Sequence, residues 1–444
     1  MSTNSPLPES RMSESRLQQA LSRVKRFDEL SESAQNWIRY LKREFRYEDE
    51  LAGHLAELGL SMLQEYLVWI PLVRFVGGLK QIGRGGFATV WKGRLRYMNE
   101  DNTRLVEEDF ALKEFDKSML QEIVLNILIV TGVGTFTRSG WFKLIGISKH
   151  EESGKYLVIT RYAGGGNLEQ RLNNNAAKAM PWSVVYKMAC SISEKLIFLH
   201  ELGLAHGDFH PGNLVFVREE SMQLGIIDIG LGIVIANAQS TTHAAEDGCY
   251  GRLSYLPPEC FARAPYTQKS DIYCLGTILW QLVSHVPPRG TAGDLFRRDG
   301  LREDPVPGTP AAYQEIINAC WNLDPARRPE AREVDVRLGN LLKAIDPDWH
   351  FYPLSAGNVR AHFNKHLRDS PSDKTASYVK KRVAEYQRDV EAERSGSGFS
   401  FADGATSVPP SLSHRSQFYT RRQLLEYSQS HVVPLPEARR QRSA

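Results

Sequence analysis

Residues 204 to 216 read LAHGDFHPGNLVF, and no other stretch restricts the chain as much. Asp208 and Asn213 stand five positions apart, His206 precedes them, and the apolar run Leu214 to Val217 follows in β-like fashion. A loop carrying an acid and an amide at that spacing can do two jobs. The carboxylate accepts a proton from an incoming hydroxyl, and the amide oxygen holds a magnesium ion. Both are needed at the working end of phosphoryl transfer.

Length and composition bound the rest. At 444 residues the chain exceeds one ordinary domain, and 42% hydrophobic with 24% charged residues describe a soluble globular protein with polar appendages. A net charge of +3 gives no push toward nucleic acid. Five cysteines (Cys190, Cys249, Cys260, Cys274, Cys320) are odd in number and scattered, with no C-x-x-C pair. They predict neither a disulfide framework nor a zinc site, and they fit a reducing setting, cytoplasmic or nuclear. The polar, Ser-rich start is unlike a signal peptide. No apolar run approaches the roughly 18 residues of a membrane span. The longest, Ile123 to Val130, is interrupted by Asn126.

Periodicity divides the chain. Residues 1–13 are polar and expected to be disordered. Over 14–70, Leu17, Leu21, Val24, then Trp37, Leu41, then Leu51, Leu55, Leu58 recur at helical spacing. They predict two or three amphipathic helices, which either pack on the next domain or form an interaction or self-association module. From residue 75 the period shortens: FVGGLKQIGRGGFATVWKGRLRY (75–97) reads as strand, Gly-rich turn, strand, and DFALKEF (109–115) as another strand. A helical stretch near 118–129 precedes two further strand candidates, 141–149 and 155–163. After AGGGNL (163–168) the pattern is helical, at 183–203, 269–285 and 311–323. Residues 346–444 are a polar tail with one helix at 373–394, where Val379, Val383, Tyr386 and Val390 form a narrow stripe. That stripe suits a short coiled coil, a docking helix or a fraying surface helix. The segment after Ser395 is linker-like and ends in a basic tail with Arg439, Arg440 and Arg442.

The pattern H-[R/G]-D-x-x-x-x-N at 206–213 resembles the catalytic loop of protein kinases. The style of SDIYCLG (270–276) and CWNLDPARRP (320–329) is similar to the tyrosine-kinase-like branch. The resemblance covers 75–345. It implies an α+β bilobal fold with a small β-rich N-lobe and a larger helical C-lobe, preceded by a helical extension. It also implies ATP and Mg2+ as cofactors and a protein as substrate.

Carried over residue by residue, the resemblance assigns a nucleotide site. Ile82, Gly83, Gly85, Gly86 and Val90 match the Gly-rich loop, whose backbone approaches phosphate oxygens where no Cβ intervenes. Ala111 would close the adenine pocket and Lys113 neutralise the α- and β-phosphates. Glu122 is the candidate to hold Lys113 in place; the alternative is a surface glutamate. Thr160 would be the gatekeeper, with Arg161 and Ala163 presenting backbone groups to the purine. IIDIGLG (226–232) resembles the metal-binding segment: Asp228 and Asn213 would hold magnesium, Ile229 would replace the usual phenylalanine, and Gly230 would permit the turn. In the C-lobe, Glu259 would pair with Arg328, and Asp271 would accept backbone hydrogen bonds from the catalytic loop. Ser240, Thr241, Thr242 and Tyr250 are candidate phosphorylation sites.

Two positions depart from the family. Gly207 replaces the arginine that reads an activation-loop phosphate, which predicts activity independent of that phosphate. His210 replaces the lysine that contacts the γ-phosphate, and Arg252, in place of a threonine, is a candidate to supply the missing cation. H-G-D-x-H-P-G-N is also the style of aminoglycoside-type phosphotransferases, which lack the segments around Glu259, Asp271 and Arg328. A pseudokinase scaffold is the other alternative, against the retained Lys113, Asp208, Asn213 and Asp228.

Overall fold

The short-period stretches build one five-stranded antiparallel sheet in the order β1–β2–β3–β5–β4. Its strands are β1 (Phe75–Arg84), β2 (Thr89–Met98), β3 (Leu105–Phe115), β4 (Leu144–Lys149) and β5 (Tyr156–Arg161). Burial alternates along this part of β3: Phe110 and Leu112 are buried, while Ala111 and Lys113 are half-buried. The computed structural model describes residues 17–84, 88–115, 120–132, 144–174, 179–219, 224–229, 233–234, 249–261, 264–288, 303–347, 371–394 and 417–419. The expectations for residues 1–13, for Gly85, Gly86 and Gly230, for Ser240, Thr241 and Thr242, and for the basic tail fall outside them.

Ahead of the sheet stand α1 (Glu32–Glu44) and α2 (Glu48–Leu58). Ser31 caps α1 by accepting from Ala34 N–H, with Glu32 in the first turn and Lys42 and Arg43 in the last, as the helix dipole favours. Gly59, at φ 72°, ends α2 in the left-handed conformation. The apolar stripe of these helices joins the core of the sheet and of α3 (Leu120–Gly132). The extension is therefore part of the small lobe's core. A stripe shows that a face is buried, not what covers it.

The large lobe contains α4 (Leu168–Asn174), α5 (Trp182–Glu201), α6 (Pro258–Phe261), α7 (Gln268–Ser284), α8 (Ala311–Cys320) and α9 (Ala331–Ile345). Three two-stranded ribbons accompany them. β6 (Leu204–Ala205) pairs with β9 (Ile233–Val234), and β7 (Leu214–Phe216) with β8 (Leu224–Ile226). β10 (Cys249–Gly251) pairs antiparallel with β11 (Gln417–Tyr419), far along the chain. The helix foreseen near residue 380 is α10 (Asp373–Arg394), and it is no fraying surface element. Val379 and Val383 are buried in the large-lobe core, and Thr375 Oγ1 donates to Pro307 O at 2.7 Å. Its narrow stripe has found an intramolecular partner.

Cys190, Cys274 and Cys320 are free and buried. Cys260 is disulfide-bonded, which corrects the expectation drawn from scattered cysteines. Separation along the chain does not report separation in space. Among the described residues no helix is long and apolar enough to cross a membrane.

Candidate active site

The sheet register gathers one set of side chains on one face. Val90 lies opposite Lys113, and Lys113 opposite Val158. Ala111, two residues back and hence on the same face, lies opposite Thr160. Val90, Ala111, Lys113 and Thr160 are all half-buried, whereas Leu112, Leu157 and Ile159 on the other face are buried in the small-lobe core. Gly83 pairs with Val90 at the end of β1, and Ile82 beside it is exposed. Arg161 ends β5 with its guanidinium 3.7 Å from Glu108. Past Ala163, Gly164 and Gly165 N–H donate to Val217 O and Phe216 O, tying the interlobe strand to the large lobe. A Cβ on Gly165 would collide with the backbone of Arg218, so the close approach requires glycine.

Lys113 is one of the points where the two lobes meet. Its Nζ lies 2.9 Å from Glu122 Oε1 on the first turn of α3 and 2.8 Å from Asp228 Oδ1. Burial disfavours the ammonium, but the two carboxylates together outweigh it and hold Lys113 protonated. Burial lifts the Glu122 carboxyl and Lys113 opposes that lift. Asn126, one turn on, donates from Nδ2 to Glu122 O, so a polar residue is absorbed within the helix. Asp228 has φ 59°, a left-handed conformation that aspartate visits more readily than most residues. Ile229 beside it is buried in the large-lobe core.

The catalytic-loop stretch is buried except at Gly212, which is half-buried. His206 Nδ1 accepts from Asp208 N–H at 3.2 Å, so its proton is on Nε2, which donates to Ile227 O at 3.2 Å. Asn213 Nδ2 donates to Asp208 O at 2.9 Å, and Ile227 N–H donates to Asn213 O at 3.0 Å. With the β7–β8 ribbon, these bonds set Asp208, Asn213 and Asp228 side by side despite their sequence separation. Gly207 has φ 82°, where glycine is relaxed and a side chain is not.

His210 fills a position beside Asp208. Its Nδ1 accepts from Gly212 N–H at 3.0 Å, and its Nε2 lies 3.4 Å from Asp208 Oδ1. Burial, then the charge of Arg252, pushes its pKa below the ordinary value. It is a neutral imidazole whose Nε2–H faces the carboxylate. Arg252 Nη1 donates to both oxygens of Glu169, at 2.9 and 3.0 Å. Glu169 escaped the sequence reading because nothing in the spacing of 169 and 252 marks a pair.

Two further anchors hold the loop. Asp271 accepts from His206 N–H at 2.8 Å, Gly207 N–H at 3.4 Å and Tyr266 Oη–H at 2.8 Å, and lies 3.0 Å from His200 Nε2. Tyr266 and His200 carried no sequence signal. Arg328 meets Glu259 through two parallel 2.7 Å bonds while donating to Asn322 O and Lys269 O. Four of its five N–H donors are thus engaged by protein acceptors, as a buried guanidinium requires.

The donor set, one carboxylate and one amide oxygen, is of the kind that suits a hard cation. Among the described residues no group of three His, Cys, Asp or Glu forms a metal cage. Magnesium is ordinarily held by one or two protein oxygens plus substrate phosphates, so Asp228 and Asn213 fit it.

A lobed fold that brings Asp228 of the large lobe onto Lys113 and Glu122 of the small one, next to the Asp208–Asn213 loop, is the arrangement a phosphotransferase needs. The chain belongs to the protein kinases: the family model "Protein tyrosine and serine/threonine kinase" matches residues 77–338. It is similar to the Probable serine/threonine-protein kinase kinX of Dictyostelium discoideum, 24% identical over 288 residues, 60% of this chain and 24% of that one. It is also similar to the Dual specificity testis-specific protein kinase 2 of Rattus norvegicus, 24% identical over 274 residues, 61% of this chain and 45% of that one. The Tyrosine-protein kinase abl-1 of Caenorhabditis elegans is 25% identical over 269 residues, 60% of this chain and 21% of that one. The matches thus span under half the length of these relatives.

Proposed function

We propose that this chain is an ATP-dependent protein kinase that transfers the γ-phosphoryl group to a protein hydroxyl, serine or threonine first. The observation carrying this reading is the convergence on one cleft of Lys113, Glu122, Asp228, Asp208 and Asn213. Asp208 accepts the proton of the acceptor hydroxyl as the new bond forms, and Lys113 orients the nucleotide's phosphates. Asn213 and Asp228 hold magnesium, which neutralises phosphate charge when bound. The Val90–Ala111–Thr160 face receives the adenine. Catalysis of this kind is positioning and charge neutralisation, for which a pre-bonded loop is suited.

The family supports a protein acceptor over an aminoglycoside-type small molecule. Serine/threonine is taken as the acceptor class because the kinX relative carries that name and the testis-specific relative is named for dual specificity. The test is ATP turnover on a peptide array with phosphoamino-acid analysis, parent against Asp208→Asn. Equal counts from both proteins would sink the reading, and phosphotyrosine alone would correct the acceptor. One observation favours a second reading, a nucleotide-binding scaffold with inefficient transfer. His210 is held neutral, and Arg252 is neutralised by Glu169, so the position of the family's lysine gains no net positive charge.

A further inference from the structure

The Lys113–Glu122 contact depends on where α3 sits. One residue of helical rise is about 1.5 Å. A shift of that size directed along the contact would stretch 2.9 Å to about 4.4 Å, beyond hydrogen-bond range. Whatever packs on the rear of α3 therefore controls the contact.

That packing comes from outside the family's match, in residues 17–70. Ile127, Val130 and Thr131 of α3 line a small cavity shared with Trp37, Ile38 and Leu41 of α1. Behind them the same segment is bonded to β4: Ile147 N–H donates to Val68 O and Ile70 N–H to Ile147 O, both at 3.0 Å. A Cβ on Gly146 would lie 2.7 Å from Val68 O, so the two backbones meet where only glycine allows it. The segment also reaches the other lobe. Arg23 donates to Gly203 O at 3.2 Å and to Leu202 O, the carbonyls just past the end of α5. Leu202 is in turn the side chain that a Cβ on Gly132, the last residue of α3, would strike. Val24, next to Arg23, packs against both cores.

We infer that residues 17–70 are a built-in positioning element, which holds α3 so that Glu122 meets Lys113, and that Arg23 is the positioning residue locking it to the large lobe. The bland alternative is that the extension only adds stability. In the positioning role, loosening Arg23 acts through Glu122 and has nothing left to act on once Glu122 is gone.

The inference rests on the kinase reading for its activity arm and on the fold alone for its exchange arm. Arg23→Ala, which removes two hydrogen bonds at the lobe edge, is expected to speed amide hydrogen exchange over 120–132 about tenfold and leave β2 and β3 unchanged. It is also expected to lower kcat/KM for ATP about two- to thirty-fold. In a Glu122→Gln background the same substitution is expected to cost under about twofold, since the two residues act on one contact. Unchanged exchange over α3 overturns the inference. So does an equal loss in both backgrounds, which is the mark of general destabilisation. Trp37→Leu provides a second entry to the same cycle if Arg23→Ala does not fold. Should neither Glu122→Gln nor Asp208→Asn alter turnover, the kinase reading fails while the exchange result stands.

Discussion

Arg252 is bound to Glu169 by a buried pair of contacts, 2.9 and 3.0 Å from one guanidinium nitrogen to both carboxylate oxygens. The charge that could have compensated for His210 is thus committed elsewhere. Glu169→Gln leaves a buried guanidinium without its counter-charge and is expected to cost about 3–5 kcal/mol in urea unfolding. Combining it with Arg252→Met should recover much of that loss. If Arg252→Met alone abolishes transfer while nucleotide affinity holds, the arginine serves the chemistry after all.

Lys113 contacts Glu122 and Asp228 at once. Lys113→Met is expected to lower kcat/KM for ATP about 10²- to 10³-fold, the scale of losing one preorganised electrostatic contact. Glu122 and Asp228 then face each other unscreened, so calcium or magnesium should raise the melting temperature of the variant more than that of the parent. A variant with parental turnover would remove Lys113 from the mechanism.

His285 ends α7 in the left-handed region at φ 61°, and burial pulls its pKa from 6.5 down to about 4. Above pH 6.5 neither folded nor unfolded chain protonates it. Between 6.5 and about 4 the unfolded chain takes up a proton that the folded chain refuses, so stability falls as pH falls, by at most about 3 kcal/mol. Asparagine tolerates the same backbone, so His285→Asn should flatten this acid-side slope in denaturation measured from pH 7 to 4.5. An unchanged slope would assign it to other groups.

At Gly207, with φ 82°, the arginine that would read an activation-loop phosphate is replaced by a residue without a side chain. Phosphatase-treated protein is accordingly expected to retain turnover within about twofold. Abolished turnover after treatment would show a phosphate reader elsewhere.

Legibility in the sequence followed the range of the interaction. The cleft face of the sheet was readable because period two and a fixed register carry Val90, Ala111, Lys113 and Thr160 together. Asp208 and Asn213 were readable because one short loop holds both. Pairs closed over long sequence separations left no local trace: Arg252 with Glu169, 83 residues apart, and Asp271 with His200, 71 apart. The helices at 32–58 and 373–394 announced an apolar stripe but not its destination, since hydrophobic burial has no direction. Only the assembled lobes show that both stripes are spent within the chain.

The pairing of β10 with β11 bears on how anything reaches Asp208. Gly251, the last residue of β10, lies beside the carboxylate, where an added Cβ would stand 3.5 Å from Asp208 Oδ1. Its cross-strand partner is Gln417. A peptide that would join this edge by strand addition meets a rival already tethered to the same molecule, at an effective concentration no dilution lowers. Such a peptide would first have to displace residues 417–419, and its apparent affinity would be scaled by the fraction of molecules in which that pairing is open.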